Sequence, residues 1–414
     1  MNHLRNNRTS LTTSLVLTGL ASTGTSVIWN GLPFIAKRDY GFGENENLAL
    51  YLLIGFVYVT GALTSGVCTR KLQSYISVRT IIALLLMTVA GVCSLPLFSS
   101  EDSSWIMWTS GGVAGFCSAW LWPIVESYLV AGRHGKEMRR AIGWWNLVWM
   151  TSVAVVMLAM APLMDKHASM VIVGLGAANL FAIGVLPWYT KNPPEHDETI
   201  AVKQVPDGYS DLLKGARVLL PLSYVMNGVL APLLPFVLAG VAIDIFWQTP
   251  ITSIWMISRV FATALMWRIS FEQSPLRFLS NKIASSSSGG GWHGRWSVLW
   301  GALVAMGAGF ICILSANTIL FLIVGLILFG SGMGVTYYAA IYYAMAVGRA
   351  EVDAGGKHEA FIGGGYMAGP LFGLLSLQVS ASGDGSGFSA VIYVVLAILF
   401  IATAALWHFW RKAR

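Results

Sequence analysis

Long apolar runs broken by short polar stretches dominate the chain from end to end. Twelve runs are long enough, at 1.5 Å per helical residue, to cross a ~30 Å hydrocarbon core. They predict helices over 11–36, 47–67, 77–98, 104–131, 141–164, 169–189, 218–242, 249–269, 296–316, 319–347, 360–379 and 388–410. The first run follows a short polar start with Arg5 and Arg8 and has no small-residue cleavage site, so it is expected to be retained as a helix. The breaks are short and rich in turn residues, such as Gly41, Gly43 and Asn45, or Gly383, Gly385 and Gly387, which leaves no room for an extramembrane domain.

Composition agrees with this pattern. A soluble domain is about one quarter charged, whereas this chain of 414 residues is 11% charged and 56% hydrophobic. The excess of 26 Lys and Arg over 19 Asp and Glu gives a net charge of +7, and the location of these charges decides what that means. Twelve spans put both termini on one side, and all the Lys and Arg lie on that side except Lys37, Arg38, Lys166 and Arg259. The positive-inside rule therefore places both termini in the cytoplasm of a multi-pass inner or plasma membrane protein. No loop gathers a basic surface larger than orientation requires, so a nucleic-acid partner is not expected. Cys68, Cys93, Cys117 and Cys312 lie in or beside apolar runs without paired spacing, and the seven histidines show no metal-ligand spacing. There is no Gly-rich phosphate loop and no nucleophile with a base, so neither an ATP-driven pump nor an enzyme is expected, and no cofactor or metal.

The chain also carries an internal echo. In 111–150 an apolar helix bearing Glu126 leads into a basic loop with Arg133, Lys136, Arg139 and Arg140, then a second helix opening on Trp144, Trp145 and Asn146. About 220 residues later, Gly330 to Gly334, the loop from Arg349 to Lys357 and the helix through Gly369 and Pro370 repeat the order of parts. Two related six-helix halves are expected, at 1–190 and 218–414, joined by a polar, Pro-containing cytoplasmic linker at 191–217. The run SSSSGGG at 285–291 reads as a flexible tether.

After the second helix, Gly61, Leu63, Arg70 and Lys71 fit a Gly-x-Leu-x-Asp signature with a following basic cluster, with Ser65 in the place of the acid. With the six-plus-six topology, the chain resembles the major facilitator superfamily. Gly365, Gly369, Pro370 and Gly373 look like the fifth-helix signature of that family's drug and proton antiporters, but they lie in the eleventh helix and read as close packing and a bend. The resemblance implies an all-α membrane protein of twelve transmembrane helices in two pseudo-symmetric six-helix bundles. It also implies a solute path lined by the first, fourth, seventh and tenth helices, with the second, fifth, eighth and eleventh helping. A secondary transporter of a small organic solute is expected, working by alternating access as a monomer in the lipid bilayer, with protons as a candidate coupling ion. The alternative is a membrane sensor or scaffold of the same fold that moves nothing.

Charged groups inside apolar runs are the first candidates for function. Glu126 lies about five residues, roughly 8 Å, inside the fourth helix. It is expected to couple protons or touch substrate, or else to link statically to the Arg133 to Arg140 loop. Arg259, mid-way along the eighth helix, calls for a partner or a wet cavity: Glu126, a substrate carboxylate or phosphate, or backbone carbonyls. Asn30, Asn227 and Tyr338 are polar and away from helix ends, and Trp122 and Asn146 join them as substrate-binding candidates. Arg70, Lys71 and Glu359 are gating candidates, although an acid opening the eleventh helix also suits the helix dipole. Asp244 reads as a loop acid at the outer mouth, with an outer proton site as the sharper option.

Overall fold

A computed structural model describes residues 8–98, 103–133, 135–194, 208–269, 292–347, 352–381 and 388–413, and these are helical with no strand among them. The N-terminal half comprises α1 (Leu11–Ser26), α2 (Leu32–Tyr40), α3 (Glu44–Gln73), α4 (Val78–Cys93), α5 (Trp105–Val130), α6 (Gly135–Ala159), α7 (Ala161–Lys166) and α8 (Met170–Ile183). The C-terminal half comprises α9 (Tyr209–Gly240), α10 (Ile245–Ile269), α11 (Trp296–Leu314), α12 (Ile319–Val347), α13 (Val352–Ala381) and α14 (Ser389–Lys412). Eleven helical segments among the described residues are long and apolar enough to span a membrane. The expected eighth span, α10, is 25 residues long but is not one of the eleven. Gln248, Thr249, Thr252, Ser253, Arg259 and Thr263 dilute its apolar character, and all six are buried against protein.

Local chemistry sets the helix ends. Ser10 and Ser77 accept from the backbone N–H groups of Thr13 and Thr80, and the Glu46 carboxylate accepts from the Gly43 N–H. Gly41 ends α2 in the left-handed region at φ 66°, where a side chain would be strained. Asp244 accepts from the Phe246 N–H at 2.9 Å, so it starts α10 as a helix cap. The first span is one unbroken helix from Leu11 to Tyr40, but between α1 and α2 it widens into a π-turn at Val27–Gly31. Pro33 cannot donate to a carbonyl one turn back, and the Tyr51 hydroxyl supplies a bond to the Ile28 carbonyl at 2.9 Å.

Three sequence expectations are corrected. The linker at 191–217 is shorter than expected, because α9 begins at Tyr209, while 195–207 lies outside the described residues. Glu359 does not open a helix, because α13 starts at Val352 and places it two turns inside. Arg133 does not reach Glu126. It is buried and donates to the carbonyls of Tyr128, Leu129 and Thr9, closing the end of α5 over the N-terminal segment. The tether at 285–291, Arg277, Lys282, Arg349 and the turn at Gly383 to Gly387 also lie outside the described residues.

The halves meet most extensively along two helix pairs, α3 with α13 and α6 with α10, with α9 also touching α2 and α3. At Gly55 the backbones come so close that an added Cβ would lie 2.7 Å from the backbone of Tyr366 and Met367. Without a hydrophobic driving force between helices in lipid, such small-residue contacts supply the van der Waals packing. Near the Gly41 turn two further bonds cross between the halves: Lys37 Nζ to the Pro235 carbonyl at 2.8 Å, and Asn47 Nδ2 to the Pro232 carbonyl at 3.3 Å.

Candidate functional site

A cavity lies where the two halves meet. From the N-terminal half, the π-turn contributes Trp29 and Asn30, α3 Tyr58, α5 Trp122, and α6 Trp145 and Trp149. From the C-terminal half come Tyr224 of α9, Trp255 and Arg259 of α10, Tyr337 of α12, and Glu359 and Tyr366 of α13. The space open to the centre of a water molecule is ≈ 50 Å³, room for a few waters in this conformation.

Arg259 is 1% exposed. Its guanidinium carbon lies 4.8 Å from the Trp149 ring and 4.7 Å from the Tyr337 ring, so aromatic faces contributed by both halves flank the cation. Nη2 donates to the Tyr224 hydroxyl at 3.1 Å, and among the described residues Nη1 has only the Met333 sulfur at 3.8 Å. Nε is buried without a hydrogen-bond partner, and Arg259 has no ion pair among the described residues. Glu359, 5% exposed, accepts a short bond from the Tyr58 hydroxyl and is likewise not ion-paired among the described residues. That bond crosses between the halves. Glu126 is half-buried on α5, within electrostatic reach of Glu359 and Tyr337 but not bonded to Arg259.

The remaining expected residues divide into lining and support. Asn30 lines the cavity and is held by a 3.0 Å bond to the Thr25 carbonyl. Trp122 lines it too, edge-on to Trp145. Asn146 and Asn227 sit one layer behind. Asn146 accepts from Trp149 Nε1 at 3.0 Å and fixes that ring, while Asn227 donates to the Tyr366 hydroxyl at 3.3 Å. Tyr338 is not in the cavity wall; its neighbour Tyr337 is. Arg70 and Lys71 are exposed on the last turn of α3, apart from the lining residues. Tyr58 and Trp149 are parts of the wall that sequence reasoning missed. Their signal was spacing: Tyr51 and Tyr58 are seven apart, and Trp145 and Trp149 four apart, each pair on one helix face.

Tyr338 belongs instead to a second aromatic cluster. Trp292 packs within 5.9 Å of Tyr338 and 5.1 Å of Tyr342, and His293 stacks on Tyr342 at 4.5 Å. Burial, with Arg139 of the other half beside it, pushes His293 down to about 4. A lowered histidine pKa favours the packed state while the ring is neutral. That stability is present above the ordinary value of about 6.5 and is lost as pH falls from there towards 4, by about 2–4 kcal/mol when complete. The thermal midpoint of the purified protein is therefore expected to fall more steeply between pH 7 and 5 than that of His293→Phe. Equal slopes would show that His293 does not carry the effect.

The family model of the Major Facilitator Superfamily matches residues 14–355. The chain belongs to the major facilitator superfamily. It also resembles the crystal structure of the nucleoside transporter NupG, with a TM-score of 0.61 at 13% identity over 97% of this chain and 98% of that one. A bacterial homologue of the human lysosomal transporter Spinster, solved inward-facing and occupied, matches with a TM-score of 0.57 at 14% identity over 98% and 97% of the two chains. At such identities these likenesses establish the fold alone. No curated protein sequence matches this chain. Membership of the family makes it a multi-pass membrane transporter.

Proposed function

We propose that this superfamily member is a secondary active transporter that carries a small organic solute by alternating access, using protons as the coupling ion. One observation carries the reading: Arg259 is buried at the meeting of the halves without an ion-pair partner among the described residues. A charge held there is costly unless it serves a path or a ligand. The two halves rock about the cavity, exchanging the Tyr58–Glu359 contact and the crossings at Lys37 and Asn47 for access from either side. Segregation of Lys and Arg supports cytoplasmic termini in the cell membrane, and the protein works as a monomer.

Purified protein in proteoliposomes should show saturable uptake of a library solute that collapses when the gradient is dissipated. A specific binder with no flux under any gradient would instead make it a sensor or scaffold. Coupling is assigned to Glu126 and Glu359, carboxyls from opposite halves within electrostatic reach of one another. Glu126→Gln should lose at least about tenfold of the acid stimulation of uptake, while Glu126→Asp retains it. Full pH dependence in Glu126→Gln would remove Glu126 from the coupling path.

A further inference from the structure

The wall of the proposed transport site holds one basic and one acidic side chain that are not matched to each other, and Glu126, outside that wall, is within electrostatic reach of the acid. Arg259 and Glu359 both line the cavity, yet neither is ion-paired among the described residues. Tyr224 and Tyr337, which also line the cavity, are each within electrostatic reach of both charges. At the Arg259 end the unfilled capacity is donor capacity: among the described residues the buried Nε has no partner, and Nη1 has only a sulfur. A carboxylate is the planar acceptor that fits such an edge. At the Glu359 end the capacity is for a cation. The carboxylate is held by Tyr58, and the ring of Trp29 stacks on Tyr366 at 3.8 Å and meets Tyr58 edge-on at 5.4 Å. Aromatic faces around an acid form a surface that favours an ammonium group.

From these two ends we infer that the solute is a zwitterion of amino-acid size, with its carboxylate on Arg259 and its amine in the Tyr58, Trp29, Tyr366 and Glu359 corner. A plain anion would satisfy Arg259 and add a second negative charge to the cavity that holds Glu359. A plain amine would do the reverse. Only a solute with both charges supplies a counter-charge at each end while staying net neutral for the crossing. The small free volume restricts the body between the charges to a short or flat one unless the aromatic side chains rearrange.

This inference rests on the transporter reading above, and the test separates the two. The full-length protein in detergent is titrated with L-alanine, L-phenylalanine and 4-aminobutanoate, each beside its counterpart lacking the amine and its counterpart lacking the carboxylate. Thermal stabilisation and intrinsic tryptophan fluorescence are read together, since Trp29, Trp149 and Trp255 line the cavity. At least one zwitterion should bind tenfold or more tightly than both of its counterparts. In Glu359→Gln the preference over the plain carboxylate should shrink to less than about threefold, and Arg259→Gln should erase the preference over the plain amine. If Glu359→Gln does not fold, Glu359→Asp takes its place, with a partial loss expected. Equal binding of zwitterion and plain carboxylate would overturn the inference in favour of an anion-plus-proton site. So would failure of the whole panel to bind while proteoliposomes show gradient-driven uptake of another solute, an outcome that leaves the transporter reading standing. No gradient-driven uptake of any solute would overturn that reading and the inference together.

Discussion

Arg259→Gln is expected to lower initial uptake into proteoliposomes by two to three orders of magnitude, while the thermal midpoint of the purified protein holds or rises. The two readouts move apart for a physical reason. In the empty cavity Arg259 is a buried charge compensated by aromatic faces and the Tyr224 hydroxyl but by no carboxylate among the described residues, so its removal relieves a desolvation cost. Substrate loses its charge-assisted bonds, and truncating one side of such a pair costs about 2–5 kcal/mol. Arg259→Lys should recover only part of the loss. A lysine ammonium is a point charge that cannot lie flat between the Trp149 and Tyr337 rings or present the same donor edge. Wild-type uptake in Arg259→Gln would remove the residue from the transport site, and a large fall in midpoint with unchanged uptake would make it structural.

Gly330→Ala carries the second large effect, on stability. An added Cβ at Gly330 would overlap the Trp255 carbonyl of α10, and one turn further along α12 a Cβ at Gly334 would lie 2.8 Å from the Arg259 carbonyl. The obstructing atoms are backbone and cannot rotate away, so the helices must separate where they present Trp255 and Arg259 to the cavity. Overpacking of this kind costs about 1–3 kcal/mol, and two consecutive close turns put Gly330 at the upper end. The thermal midpoint should drop by several degrees, with uptake reduced in protein that remains folded. Gly301→Ala is the control: nothing lies within 4 Å of its Cβ position, and alanine is the better helix former. Equal midpoints for the two variants would contradict the close crossing of α10 and α12.

How far the site could be read from the sequence varies residue by residue. Glu126 and Arg259 announced themselves because a charge in an apolar run is conspicuous whatever it touches. Tyr338 was expected in the wall, but Tyr337 is there and Tyr338 joins the Trp292 cluster, since adjacent helical residues point about 100° apart and apolar periodicity fades when every face is apolar. Glu359 was placed at a helix start because the polar residues before it look like a loop; α13 continues through them from Val352. The aromatic spacing of Tyr58 and Trp149 did not single them out as site residues, because Tyr and Trp are also ordinary at membrane interfaces.

The sequence by itself determined the membrane solvent, the span pattern and the class of fold. Hydrophobic length and the segregation of Lys and Arg are properties of segments, read by the bilayer one helix at a time. The tertiary structure alone decided which side chains meet: Arg259 between aromatic rings of opposite halves, Glu359 on the Tyr58 hydroxyl, and Glu126 near Glu359 but away from Arg259. Those contacts join residues tens to hundreds of positions apart. They depend on how each helix is rotated and how closely glycines such as Gly55 and Gly330 let backbones approach, which no single segment encodes.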